Sequence, residues 1–403
     1  MSHQSISSFK LIWLLSYISI ASVSATIITP ALPLIQQYYA LNPGAVEWLV
    51  SAFLIGYTIG QLLYAPLANR YGSLKALRLG LIINLLGTLV CLIALSLNNY
   101  WLLVLGRLIT ALGAASGLAC TFMLINAWLP EEQRKTAMAY SVLSFALGLG
   151  VAVVLGGIIT DFWQWQGCFW FLLIHAIVVL CGTYVFQEAA FVSKPIHVLT
   201  IIKDYMAALS SPKLVVFSLV VGSSTAISYC FSAAGPQIAK DLLALSPAEY
   251  GYWNGVNIIG MLAGGLIVKQ LLARFSAIQV IAIGFLGIAL GIMNLFFMWT
   301  INSHSSLWFF LIASSFYLFN GLLFSSGSFI ASNALDDKAS AAGMMSFLNM
   351  SFATLWVIVM GYLGVNPLLS FAETLSLVWL LVVVLVLIEK RNTKVGSYIS
   401  EES

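Results

Sequence analysis

Gly60-Gln-Leu-Leu-Tyr-Ala-Pro-Leu-Ala-Asn-Arg-Tyr-Gly-Ser-Leu-Lys-Ala-Leu-Arg78 leaves one long apolar run, turns, and starts another. Three cations, Arg70, Lys75 and Arg78, fall within nine residues, and Gly72 sits among them as the residue most tolerant of a tight turn. The apolar runs on either side are each about 20 residues long, enough to cross a hydrocarbon core of roughly 30 Å as a helix. The stretch therefore reads as a basic hairpin between two membrane spans. Because spans alternate in direction, the side on which this hairpin lies fixes the side of every other loop.

The rest of the chain has the same character. Of its 403 residues, 61% are hydrophobic and 8% charged, where soluble domains carry about 25% charged residues. In lipid every backbone N–H and C=O must be satisfied within its own segment, so these runs must be helices; the alternating pattern of a barrel strand is absent. Spans are expected near 11–35, 46–68, 79–97, 101–127, 136–160 and 168–187, then 214–237, 250–270, 277–300, 307–333, 340–363 and 370–388. The fold class is an all-α membrane protein of twelve helices in two pseudo-symmetric six-helix halves. The expected organisation is 1–187, a polar linker at 188–213, 214–389, and a tail at 390–403. Ser22-Val23-Ser24-Ala25 faintly resembles a signal-peptidase site, but the apolar run continues past it, so the first span is read as retained.

Positive charge tests the count, since cytoplasmic loops collect Lys and Arg. With both termini inside, all but two of the 17 cations fall on the cytoplasmic side. Lys240 lies outside and Arg107 within a span. A miscounted span would scramble this alternation. The hairpin also repeats: Gly56, Gly60 and Arg70 recur at the same spacing as Gly260, Gly264 and Arg274, with an aromatic after each Arg. Glycines four apart let helices approach closely, and the matching Arg makes duplication the better explanation.

Polar side chains are costly against lipid, so helices rich in them should face a wet cavity or one another. Spans 1, 7, 10 and 11 are rich in Ser, Thr and Asn, whereas spans 3, 6, 9 and 12 are nearly bare and read as lipid-facing braces. Candidate cavity residues are Thr26, Thr29, Tyr57, Phe145, Ser224, Ser228, Tyr229, Asn257, Tyr317, Asn320, Asn349 and Trp356, whose mixed aromatic and hydroxyl character suits an amphipathic solute. The bland alternative is that these groups bond their own backbone or pack in the core. Arg107, the one formal charge inside a span, is expected to bond backbone carbonyls or an anionic group and to help couple conformation to ligand or proton. All carboxylates lie in loops, tails or span ends, and Asp161 is the candidate among them for a coupling role. His175 is a lone His on a brace helix. The five cysteines read as small buried hydrophobes rather than disulfide or metal ligands.

These features resemble the major facilitator superfamily over essentially the whole chain. The Gly60 to Arg78 stretch is similar to its helix 2–3 signature: Arg70, Gly72 and Lys75 fit, while Asn69 replaces an Asp. Leu105-Gly106-Arg107 with Gly113 resembles the helix 4 signature, which in the family places the Arg in a proton relay. Gly148, Gly150, Gly156 and Gly157 resemble the antiporter signature of helix 5 without its Pro. Thr29-Pro30-Ala31-Leu32-Pro33, Leu245-Ser246-Pro247 and Ala341-Ala342-Gly343 are similar to the drug/proton antiporter group, bicyclomycin-resistance branch, with Thr26 where that branch commonly has an acid. The resemblance implies two halves closing alternately around a midplane site, with Gly60, Asn69, Arg70, Gly72, Lys75, Gly264 and Arg274 in the gating hairpins.

The function expected is secondary transport of a small organic solute across a bacterial plasma membrane by a monomer. Export coupled to protons is the leading form, and uniport or import of a metabolite the alternative. Beyond a coupling proton no cofactor is expected. The net charge of +3 does not point to nucleic acid. No nucleotide-binding Gly-x-x-x-x-Gly-Lys pattern, metal cluster or nucleophile constellation marks an enzyme or an ATP-driven pump. A transport-inactive receptor would be expected to carry a large soluble domain.

Overall fold

The computed structural model describes residues 7–42, 44–188, 203, 206–335, 337–364 and 366–401, and its regular elements are all helical. In chain order they are α1 (Ser8–Ser16), α2 (Ser19–Thr26), α3 (Leu32–Tyr38), α4 (Trp48–Tyr71), α5 (Ser73–Ser96), α6 (Tyr100–Trp128), α7 (Glu131–Trp163) and α8 (Gly167–Gly182). There follow α9 (Pro212–Asp241), α10 (Pro247–Leu272), α11 (Ala277–Thr300), α12 (Ser306–Ser332), α13 (Lys338–Leu363) and α14 (Pro367–Glu401). Among the described residues eleven stretches, with α2 to α3 taken as one, are long and apolar enough to span a bilayer, and the apolar part of α7, Gly148–Trp163, is a shorter twelfth. This is an all-α, multi-pass membrane protein with the twelve-helix count. The connector expected at 188–213 lies mostly outside the described residues.

Two elements differ from expectation. The first span is not one helix but a chain of short ones. Ser16 and Ser19 donate their hydroxyls back to the carbonyls of Trp13 (2.7 Å) and Ser16 (2.6 Å), which bends the backbone between α1 and α2. Pro30 and Pro33, which lack the N–H a helix needs, replace the next turn by a 3₁₀ segment, Thr29–Ala31. At the other end of the chain α14 continues through Glu401, past the apolar run.

The chain divides into two compact units, Met1–His197 with Pro236–Gly255, and Val198–Gly235 with Val256–Ser403. In the first unit, a side-chain carbon at Gly56 would clash with the Leu108 carbonyl, and one at Gly60 would lie 2.6 Å from Ala115 Cβ, so α4 and α6 meet backbone to backbone. Inside the second unit the same pattern returns: Gly260 and Gly264 of α10 abut the carbonyls of Ser314 and Leu318 on α12. The repeat seen in the sequence is thus a repeat of close helix contacts. Val268, Val280 and Leu322 form a core where α10, α11 and α12 meet, and Trp379 Nε1 donates to the Phe285 carbonyl (2.8 Å), tying α14 to α11.

Three of the four polar-poor spans show an apolar stripe turned outward: Leu79, Ile82, Leu86, Leu89 and Ile93 on α5, Leu286, Leu290, Met293 and Phe297 on α11, and Leu377, Leu380, Val384 and Leu387 on α14. Steps of three and four residues keep each stripe on one helical face. Cys91, Cys120, Cys168 and Cys230 are buried and Cys181 is exposed, all as free thiols.

Candidate functional site

The polar centre of the first unit is built where the first span breaks. A helix leaves its last four carbonyls without partners in its own backbone. In α2 the Val23 carbonyl is taken by Ile27 N–H (3.1 Å), and the α-helical ladder stops there as the backbone tightens into the 3₁₀ segment Thr29–Ala31. Arg107 supplies the missing hydrogens: Nη1 donates to the Ser24 carbonyl (2.6 Å), Nη2 to that of Ala25 (3.4 Å), and Nε to that of Leu49 at the start of α4 (3.4 Å). A cation at a helix C-terminus also meets the negative end of the helix dipole. The guanidinium is 0% exposed and lies over the Phe53 ring, 4.5 Å from its centroid, and Tyr57 stacks in turn on Phe53 at 6.1 Å. Of the sequence candidates, Arg107, Thr26, Thr29 and Tyr57 are therefore gathered on α2, α4, α6 and the 3₁₀ turn. The Thr26 hydroxyl reaches the carbonyls of Ser22 (3.0 Å) and Leu149 (3.2 Å), and the buried hydroxyl of Thr29 has no hydrogen-bond partner. Phe145, on α7, is half-buried.

The glycines of α7 act as contact points. Gly148 abuts Ser22 and Gly156 the Ile27 carbonyl, so α7 lies directly on α2. Gly157 meets the Pro247 carbonyl, at the first residue of α10. Four residues on, Asp161 Oδ2 accepts from Ser246 Oγ and from the Ala248 N–H, both at 3.1 Å. A carboxylate is favoured at a helix N-terminus, and here it comes from another helix. Gln237 Nε2, near the end of α9, donates to Gln36 Oε1 on α3 (2.9 Å). Asp161 and the start of α10 were not connected by any sequence signal, because residues 85 apart meet only through tertiary packing.

Gly72 turns the basic hairpin with φ 98°, a left-handed conformation suited to glycine. Asn69, Arg70 and Lys75 are exposed around it. Two charged residues hold the hairpin, one distant in sequence and one, Arg78, its own. Glu188 caps α5 by accepting from the backbone N–H groups of Leu74 (3.2 Å) and Lys75 (2.9 Å). Arg78 does the reverse at the end of α8, donating to the carbonyls of Thr183 (3.0 Å) and Phe186 (3.3 Å) and to Thr183 Oγ1 (3.1 Å), with its guanidinium over the Tyr184 ring. His175 faces the first span, within 3.0 Å of Ser19 Oγ, instead of lipid.

In the second unit, Asn320 Nδ2 donates to Ser228 Oγ (3.2 Å), and Ser228 Oγ in turn to the Ser224 carbonyl (3.1 Å), joining α12 to α9. The Tyr317 ring meets Phe231 edge-on at 5.9 Å. Asn257 and Asn349 are buried on α10 and α13, Tyr229 is half-buried on α9, and Trp356 on α13 lies 6.0 Å from Phe352. Among the described residues the buried Oδ1 atoms of Asn320 and Asn349 and the Trp356 Nε1 have no hydrogen-bond partners. Arg274 is exposed in the turn after α10.

Residues 14–361 match the family model of the Major Facilitator Superfamily. The chain belongs to that superfamily. It is 25% identical over 179 residues to the Multidrug resistance protein D of Escherichia coli, covering 44% of this chain and 43% of that protein. To a Bicyclomycin resistance protein homolog of Haemophilus influenzae it is 23% identical over 266 residues, 65% of this chain and 64% of the relative. To the Multidrug resistance protein Stp of Mycobacterium tuberculosis it is 28% identical over 167 residues, 41% of this chain but 30% of the relative. The chain thus spans less than two thirds of the length of each of these relatives. Among solved structures it resembles a D-xylose–proton symporter (TM-score 0.73, 14% identity, 93% and 96% coverage) and the POT family transporter PepTSo (TM-score 0.75, 11% identity, 96% and 99% coverage). At such identities the likeness is one of fold.

Proposed function

We propose that this protein is a secondary transporter that exports a small, amphipathic organic solute across a bacterial plasma membrane in exchange for protons. The observation that carries the reading is Arg107, a full charge sealed at a break in the first span by the carbonyls of Ser24 and Ala25. Burying a cation in this way costs on the order of 3 kcal/mol, which is sustained where the group serves more than packing. Its partners sit on short, Pro-interrupted segments, the kind of backbone that transporters place at binding sites near mid-membrane. The relatives named for multidrug and bicyclomycin resistance support export of a drug-like molecule. The aromatic and hydrogen-bonding groups of each unit, Phe53 and Tyr57 in one and Ser228, Asn320 and Trp356 in the other, suit a solute with both apolar and hydrogen-bonding faces.

One observation favours uniport or import without protons: the buried polar residues described within the spans include no Asp or Glu. The two readings separate in purified protein reconstituted into vesicles, with a fluorescent aromatic cation and bicyclomycin as test solutes. Flux that follows an imposed pH gradient supports antiport, and flux that ignores gradients of either sign removes it.

A further inference from the structure

Glu47 closes the loop before α4, at the end of that helix opposite the Gly72 hairpin. Among the described residues its carboxylate oxygen Oε2, which is buried, has no hydrogen-bond partner, and the hydroxyl of Tyr39 is buried in the same condition. Around them the loops of the first unit bring together a cluster of rings. Tyr39 lies 5.5 Å from Tyr100 and 6.0 Å from Trp165, and Tyr38 lies 5.3 Å from Trp165. The Tyr100 hydroxyl is spent on the Ala45 carbonyl. An ionised carboxylate needs donors or a cation when it leaves water, and orphaned buried polar atoms in a folded protein call for an explanation.

We propose that Glu47 is a proton-binding site of the transport cycle, taking up and releasing a proton at Oε2 as the ring cluster around it closes and opens. In uptake, an O–H bond forms at Oε2 as hydronium gives up its proton and leaves as water; release reverses both changes. With the cluster closed the neutral acid is favoured, because among the described residues Oε2 meets no donor, while water reaching the opened cluster solvates the anion. This deepens the proton-coupled reading above and rests on it. It also places the acid outside the spans, where the first turn of α4 links it to Leu49, whose carbonyl Arg107 holds. The groups facing it are the phenol of Tyr100 from α6 and the backbone N–H groups of Gly44 and Glu47. Burial is the main influence on its carboxyl and holds it above the usual carboxylate range, with the two N–H groups opposing.

The test is an infrared pH titration of the purified full chain in lipid nanodiscs. The wild type is expected to show a protonated-carboxyl stretch that disappears only above the ordinary Glu range of about 4.3. That signal should be absent in Glu47→Gln, and retained in Glu47→Asp and in Glu249→Gln, which alters a carboxylate that caps the exposed start of α10. A spectrum in which Glu47→Gln titrates as the wild type does would overturn the proposal. Thermal stability gives a second readout. A raised carboxyl means that the folded state holds the proton more tightly than the unfolded chain. The stability this brings is complete below the unfolded value and is lost as pH rises through the folded one. Wild type should therefore lose stability relative to Glu47→Gln as pH rises across that window, and a difference that stays constant with pH would count against the site. In vesicles, proton-driven flux should lose its pH dependence in Glu47→Gln; flux with wild-type pH dependence would overturn the coupling role. If the titration depends on Glu47 but wild-type flux ignores the gradient, the antiport reading fails while the proton site stands.

Discussion

Arg107 shows how a single side chain can be forced by the backbone around it. The first span tightens into a 3₁₀ turn, and a forked cation with several N–H groups bonds the carbonyls of Ser24 and Ala25 at the end of α2. Lys cannot replace that fork, since its one ammonium cannot serve Ser24, Ala25 and Leu49 together. Each carbonyl left without a donor costs about 1–3 kcal/mol. Arg107→Ala should therefore lower the melting temperature in detergent and reduce flux in vesicles by about tenfold or more, equivalent to about 1.4 kcal/mol. Arg107→Lys should lie between it and the wild type. Wild-type flux in Arg107→Ala would show that the residue is structural filling. The presence of a charge in a span was plain from the sequence. Its partners were not, because Ser24 and Leu49 are 83 and 58 residues away.

At the scale of elements, glycine spacing does most to decide which helices touch. Gly264 abuts the Leu318 carbonyl, whereas Gly265 beside it faces open space. Gly264→Ala should destabilise by about 1–3 kcal/mol through overpacking. Gly265→Ala should be neutral or stabilise by about 0.4–1 kcal/mol through the preference of helices for Ala. Equal melting temperatures for the two variants would contradict the packing described. The hairpin makes a second case. Glu188 caps α5 and Arg78 grips the end of α8, each charge placed where the helix dipole favours it. Glu188→Ala should speed hydrogen exchange at Leu74 and Lys75 while leaving the buried part of α5 protected, and unchanged exchange there would refute the cap. Asn69, Arg70 and Lys75 were visible in the sequence as a cluster, but the residue that orders them lies more than a hundred positions on.

For the whole molecule, the alternation of positive loops makes a claim about topology. Single cysteines at positions 70 and 274 should both react with a membrane-impermeant maleimide only from the cytoplasmic side, and labelling from opposite sides would break the twelve-span assignment. Arg70→Ala should insert normally and transport more slowly, as measured by flux against the amount of protein in the membrane. Hydropathy, loop charge and the recurring Gly–Gly–Arg pattern were enough to settle helix number, class and duplication, because lipid punishes every unsatisfied backbone group and so writes each span into local composition. The lipid-facing stripes of α5, α11 and α14 follow from the same rule. Tertiary structure alone decided the meeting of Asp161 with the start of α10, the clasp of Glu188 on α5, and the nearness of Tyr100 to the buried Glu47 carboxylate. Those contacts join residues far apart in the chain through one or two polar atoms each, and so small a share of the energy leaves no periodicity for a sequence to display.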